Sequence, residues 1–206
     1  FDSKLAYVGL DHDMGKLSVG RQSHPFADNI GGKTSIFNVY GGSSDWNYAS
    51  RSSNSMKFST TQSGLTLDTI GIVDGSSTNT NAFDEFEVTI STKLFGSDVS
   101  VGYADDVNSD ISYWGVAGST DLGPLNMSSS YTIYDAATDK YGLEVTASYS
   151  IFSVGYGDKE GTGLAYTAGV AHDLNDSLSV YAEGEMKDLD SGSDTTSWSI
   201  GSKFTF

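Results

Sequence analysis

From end to end the chain repeats one unit, a segment of about ten residues that alternates apolar with polar and then turns. A period of two sends successive side chains to opposite faces of a strand. In residues 197 to 206, Trp198, Ile200, Phe204 and Phe206 share one parity, while Ser197, Ser199, Gly201, Lys203 and Thr205 share the other. Leu143, Val145, Ala147, Tyr149 and Ile151 alternate in the same way with Glu144, Thr146, Ser148 and Ser150. Phe86, Val88, Ile90 and Leu94 alternate with Glu87, Thr89, Ser91 and Lys93, and Leu178, Val180, Ala182 and Met186 with Ser179, Tyr181, Glu183, Glu185 and Lys187. The second face is small, hydroxylic and charged, which suits water.

A soluble sandwich predicts the same alternation, with the apolar parity turned toward a second sheet. The connections favour another architecture. Very short turns near Met14-Gly15, Ser63-Gly64, Gly96-Ser97, Gly123-Pro124 and Asn175-Asp176 alternate with longer polar loops near 75 to 82, 105 to 110, 135 to 139, 158 to 163 and 188 to 195. Short turns on one side and long loops on the other are the outer-membrane arrangement. Aromatics gather near segment ends, as at Tyr113-Trp114, Tyr131, Tyr134, Tyr141, Tyr149, Phe152 and Tyr156, where girdles at two membrane interfaces would place them.

The expected fold is therefore all-β, an antiparallel transmembrane β-barrel forming a single domain over residues 1 to 206. Thirteen segments are read, roughly 3 to 12, 15 to 22, 51 to 62, 65 to 75, 83 to 95, 97 to 106, 110 to 121, 124 to 135, 139 to 151, 152 to 159, 163 to 173, 176 to 188 and 195 to 206. Bacterial single-chain barrels have even strand counts, and an open edge would leave backbone groups unpaired in lipid. The expectation is a complete protein of sixteen strands, with three preceding those seen here.

Composition narrows the function classes. The chain has 24 Gly, 12 Tyr and 10 Phe against 2 Pro, a vocabulary of strands and turns. A net charge of -16 with only 11 Lys plus Arg offers no basic face for phosphates, so nucleic acid is excluded as a partner. With no cysteine there is neither a disulfide framework nor a thiolate metal site. No apolar run approaches the length of a spanning helix, and the mean hydropathy is -0.26, which a barrel with a polar lumen tolerates.

His12, His24 and His172 lack ligand spacing and are expected on the surface or at an interface, with no metal. Neither a Gly-x-Ser-x-Gly elbow nor a phosphate loop is present; Gly31-Gly32-Lys33-Thr34 lacks the preceding glycine spacing. No catalytic residue and no cofactor is assigned. An outer-membrane enzyme is the weaker alternative, since Ser and Asp are abundant but nothing ties a histidine to a nucleophile.

Lys4-Leu5-Ala6-Tyr7-Val8-Gly9-Leu10, followed by Gly15-Lys16-Leu17-Ser18-Val19-Gly20-Arg21-Gln22, resembles the strand pair that precedes the constriction loop in general trimeric porins of Gram-negative bacteria. In that family the pair forms the fourth and fifth strands, in accord with three strands upstream. The end of the chain, with Trp198, Phe204 and Phe206 at matching parity, is similar to the aromatic signal read by the barrel-assembly machinery. The resemblance implies a water-filled, trimeric outer-membrane channel for passive diffusion of small hydrophilic solutes and ions, surrounded by lipid and lipopolysaccharide. A non-conducting adhesion barrel and a sugar-specific porin are the alternatives. A sugar channel would want a lumenal aromatic ladder, and only Tyr181 and Tyr113 are inward candidates.

The segment 23 to 50, the longest without clean alternation, falls where those porins fold a loop into the barrel, and Gly41-Gly42-Ser43-Ser44-Asp45 resembles that loop's acidic tip. Acidic groups on such a loop face basic groups on the wall and create a transverse field. By position Lys4 and Arg51 match the family's wall cations, and Arg51 shares the parity of Ser53, Ser55 and Lys57. Asp28 and Asp45 are the loop carboxylates. Arg21 shares parity with the outward Leu17 and Val19, so it lines either the pore or a subunit contact. Lys57, Glu87, Lys93, Glu144, Glu183, Glu185, Lys187 and Lys203 are candidate lumen charges.

Overall fold

The computed structural model of the chain describes residues 4–42, 48–73, 83–106, 110–135 and 138–205. Thirteen strands account for most of it: β1 (Ala6–His12), β2 (Gly15–Ser23), β3 (Arg51–Gln62), β4 (Leu65–Ile72), β5 (Glu85–Leu94), β6 (Ser97–Asp106), β7 (Ile111–Leu122), β8 (Leu125–Asp135), β9 (Lys140–Tyr149), β10 (Phe152–Lys159), β11 (Gly163–Asn175), β12 (Leu178–Leu189) and β13 (Thr195–Phe204). Each corresponds to one alternating segment of the sequence. They form one sheet in chain order, with every described pairing antiparallel and none joining β1 to β13.

Six two-residue turns connect the strands on one side, including Ser63-Gly64, Phe95-Gly96 and Ser150-Ile151, and the longer connections lie on the other. At Ser63-Gly64 (φ 52 and 81) and Phe95-Gly96 (φ 51 and 87) both central residues are left-handed. That is the turn whose twist matches an antiparallel hairpin, and it explains the glycine at each second position.

Burial is inverted relative to a soluble protein. Leu10 is 75% exposed, Trp114 54% and Val116 44%, while Glu87, Glu144, Glu183, Thr132 and Thr146 are buried. Across the sheet, register keeps each set together: Ile90 pairs with Val101, Val101 with Val116 and Val116 with Tyr131 on the apolar face. Thr89 pairs with Gly102 and Gly102 with Gly115 on the polar one. No second described sheet covers the apolar face, so the sandwich alternative fails. So large an apolar surface suits hydrocarbon rather than water.

The connection between β2 and β3 carries a short helix α1 (Pro25–Asn29) and a 3-10 turn (Gly31–Lys33), and it lies on the polar face. Asn29 Nδ2 donates to Asp68 on β4, and Asn38 Nδ2 donates to Glu183 on β12. Strands eight spacings apart in the sheet are thus reached from one short loop whose residues 25–33 are mostly coiled into helical turns rather than extended. The sheet therefore curls around the loop, and the polar face is concave.

Candidate functional site

The loop is seated by two kinds of contact. The first is apolar. Phe26 and Ile30 are wholly buried against Ala104 and Ala117, with Tyr48 and Tyr113 packed alongside. The wall makes room for them with glycine: a Cβ at Gly115 would come 2.7 Å from Ile30 Cγ2 and 2.9 Å from Phe26 Cζ. Further round, a Cβ at Gly155 would meet Phe37 Cε2 at 2.8 Å. Glycine on these wall strands therefore serves as a notch for a loop side chain.

The second kind is carboxylate. Glu87 Oε2 accepts the Phe26 N–H at 2.9 Å, and Glu87 Oε1 lies 2.6 Å from His24 Nδ1. Glu144 accepts the Thr34 hydroxyl at 3.1 Å and the Gly42 N–H at 2.9 Å. Glu183 accepts the Asn38 N–H at 2.7 Å, the Asn38 side-chain amide at 2.9 Å and the Val39 N–H at 2.9 Å. Loop backbone that forms neither ladder nor long helix needs such acceptors when it is buried. Bonds to a charged acceptor are also the stronger kind.

All three glutamates follow from parity as polar-face charges, but their partners lie 61 to 145 residues away in sequence, and no spacing rule links them. His24 corrects an expectation. It is fully buried at the base of the loop, where the surface or an interface was predicted, and its Nε2 has no partner among the described residues.

Of the expected site charges, Asp28 and Lys57 are brought together. Lys57 Nζ lies 3.9 Å from Asp28 Oδ2 and donates to the Ser23 carbonyl at 3.2 Å. Asp28 is half-exposed and Lys57 more sheltered. Asp68 stands nearby on β4 and accepts the Asn29 amide at 3.2 Å.

A wall cation not singled out from the sequence is Lys16. Its Nζ lies 5.6 Å from the Tyr7 ring centroid, and it shares with Lys57 and Asp68 the lining of a cavity of about 230 Å³. The signal was present, since Lys16 alternates with the outward Leu17 and pairs across β2 and β3 with Ser59.

Arg51 departs from the parity assigned to it. The pairing of β2 with β3 slips between Gly20 and Gln22, where Asn54 has φ 55, so Gly20 opposes Ser55 but Gln22 opposes Ser52. Two residues face one at this bulge, and alternation counted back from Lys57 no longer applies. Arg51 opposes Ser23 and is exposed, one residue off the polar Gln22–Ser52 pair. Arg21 donates from Nη1 to Ser53 Oγ at 3.2 Å. Lys4 is exposed ahead of β1, without a described ion pair to the loop. Trp198 and Phe204 are exposed on β13; Asp45 and Phe206 lie outside the described residues.

The comparisons with known proteins agree with this fold. The solved structure of Salmonella typhi OmpF, in complex with daunomycin, superposes with a TM-score of 0.78 at 15% identity, covering 97% of this chain and 77% of that one. Vibrio cholerae OmpT lacking its loop L8 gives 0.77 at 17% identity, with 96% and 78% coverage. A trimer form of in-vitro folded Vibrio cholerae OmpT gives 0.71 at 18% identity, with 89% and 69% coverage. No curated protein matches the sequence. The family described as Gram-negative porin matches residues 1–204, and the chain belongs to that family of outer-membrane β-barrel porins.

Proposed function

We propose that the protein is a passive, non-enzymatic diffusion channel for small hydrophilic solutes and ions, narrowed by the loop at 23 to 50. The observation that supports this most is the concave polar face on which the loop is fixed, with a loop carboxylate, Asp28, beside a wall cation, Lys57. Charges of opposite sign across a narrowing order water and orient polar solutes. In this reading Asp28, Lys57 and Lys16 act at the constriction, and Asp45 and Lys4 join them through their match to family positions; Arg51, turned off the polar face by the bulge, does not.

The open edges of β1 and β13 would be costly in lipid. The reading therefore includes closure of the full-length barrel with three further strands, sixteen in all. It also includes a homotrimer, assembled through the barrel-assembly machinery into a lipopolysaccharide-bearing membrane. Trp198, Phe204 and Phe206 supply the assembly signal.

The test is conductance of the full-length protein in a planar bilayer. Current steps that close in threes support the reading. Correctly folded, inserted trimers that pass no current refute it and favour an adhesion barrel.

A further inference from the structure

We propose that Glu183 gives the channel a cation preference while it holds the tip of the loop; the inference rests on the channel reading above. Its two carboxylate oxygens accept three hydrogen bonds, from the backbone and side-chain amides of Asn38 and the backbone amide of Val39. Every one of those donors is neutral. The hydrogen bonds fix the carboxylate in place, and a neutral donor brings no charge to cancel its own.

Three other carboxylates of the wall have a basic nitrogen beside them. Glu185, on the same strand, has Lys187 Nζ at 3.0 Å, Asp98 has Lys93 Nζ at 2.8 Å, and Glu87 shares its oxygen with His24. Among the described residues no cation comes within 4.0 Å of Glu183.

The position gives that charge a reach into the lumen. Glu183 is 6% exposed, so its own surroundings screen it poorly. The residues it holds are at the loop's exposed tip, with Val39 51% exposed. The wall beneath is shaped to seat both groups: a Cβ at Gly169 would stand 3.1 Å from Glu183 Cγ and 3.4 Å from Phe37 Cδ1. A unit charge about 8 Å from a passing ion changes the local cation concentration roughly two-fold even at the dielectric of water, and depletes anions to match.

Two variants separate charge from clamp. Glu183→Gln removes the charge and keeps a carbonyl oxygen for Asn38; Glu183→Asp keeps the charge and draws it back by one methylene. Each is measured in the full-length protein as the reversal potential under a low-salt gradient. E183Q is expected to lower the cation-to-anion permeability ratio at least two-fold, with the difference fading at 1 M salt. E183D is expected to hold the wild-type ratio while the current grows noisier. A conducting E183Q with the wild-type ratio overturns the inference alone, as does an E183D whose ratio falls as far as that of E183Q. Wild-type trimers without conductance overturn the channel reading and this inference with it.

Discussion

A single methyl group placed on the wall should unseat the loop without unfolding the barrel. In Gly115→Ala the added Cβ would sit 2.7 Å from Ile30 Cγ2 and 2.9 Å from Phe26 Cζ, inside any real contact. Both partners are wholly buried, so neither side chain has space to swing away. Overpacking of this kind costs about 1–3 kcal/mol, and each 1.4 kcal/mol is about ten-fold in an equilibrium. The seated state should lose between roughly five-fold and a hundred-fold relative to detached states. The strand itself tolerates alanine, and the thirteen-stranded ladder does not depend on the loop.

The assay is single-channel recording in bilayers, with heat-modifiable electrophoretic mobility as the check on barrel folding. The expected result is a folded barrel whose current fluctuates more and whose mean conductance falls, because a detached loop sweeps the lumen. Gly102→Ala, with contacts of 3.0 Å to Thr89, 3.1 Å to Phe26 and 3.3 Å to Ile30, should show a weaker form of the same effect. Gly184→Ala, whose added Cβ would meet Ser197 O at 3.6 Å, should record like wild type. A quiet G115A channel of wild-type conductance would refute the reasoning.

Three further outcomes follow from the same geometry. Val116→Arg places a cation on the apolar face at a site 44% exposed, harmless in water but worth about 2–4 kcal/mol against folding at the bilayer midplane; urea titration in lipid vesicles measures it, and an unchanged midpoint contradicts the membrane orientation. Lys57→Gln should move the reversal potential toward cations with little loss of stability, because the 3.9 Å contact to a half-exposed Asp28 contributes at most about 1 kcal/mol; a shift toward anions counts against Lys57 facing the pore. Phe95→Asn should raise the unfolding free energy in urea by up to about 1 kcal/mol, since Asn accepts the left-handed φ of 51 better than Phe does, and a lower value refutes the strain argument.

Strand number, order and facing were legible in the sequence because they rest on local rules. Alternation over Leu143 to Ile151 assigns faces without reference to any other segment, and β9 and β10 keep that assignment through their pairing. Turn chemistry then sets which strands are neighbours, as at Ser63-Gly64 and Gly123-Pro124. The same rule fails at β2 and β3 because a bulge resets parity. Asn54, a residue type tolerant of left-handed φ, is the trace of it in the sequence, and it does not by itself distinguish a bulge from an ordinary exposed strand position.

The loop's seat was less legible because its parts are complementary only in three dimensions. Gly102, Gly115, Gly155 and Gly169 read individually as weak points in strands, and they become notches only once Phe26, Ile30 and Phe37 are laid against them. Buried glutamates likewise look unfavourable on a strand until the loop's own unpaired amides are counted, and each requirement then answers the other. The wall accepts buried carboxylates because the loop brings donors, and the loop can forgo regular structure because the wall brings acceptors. Replacing both sides together should therefore cost less than the two separate replacements added. In a double-mutant cycle, Glu87→Ala combined with His24→Ala should destabilise the loop by less than the sum of the single changes. Strict additivity would mean that the pair is adjacent without being coupled.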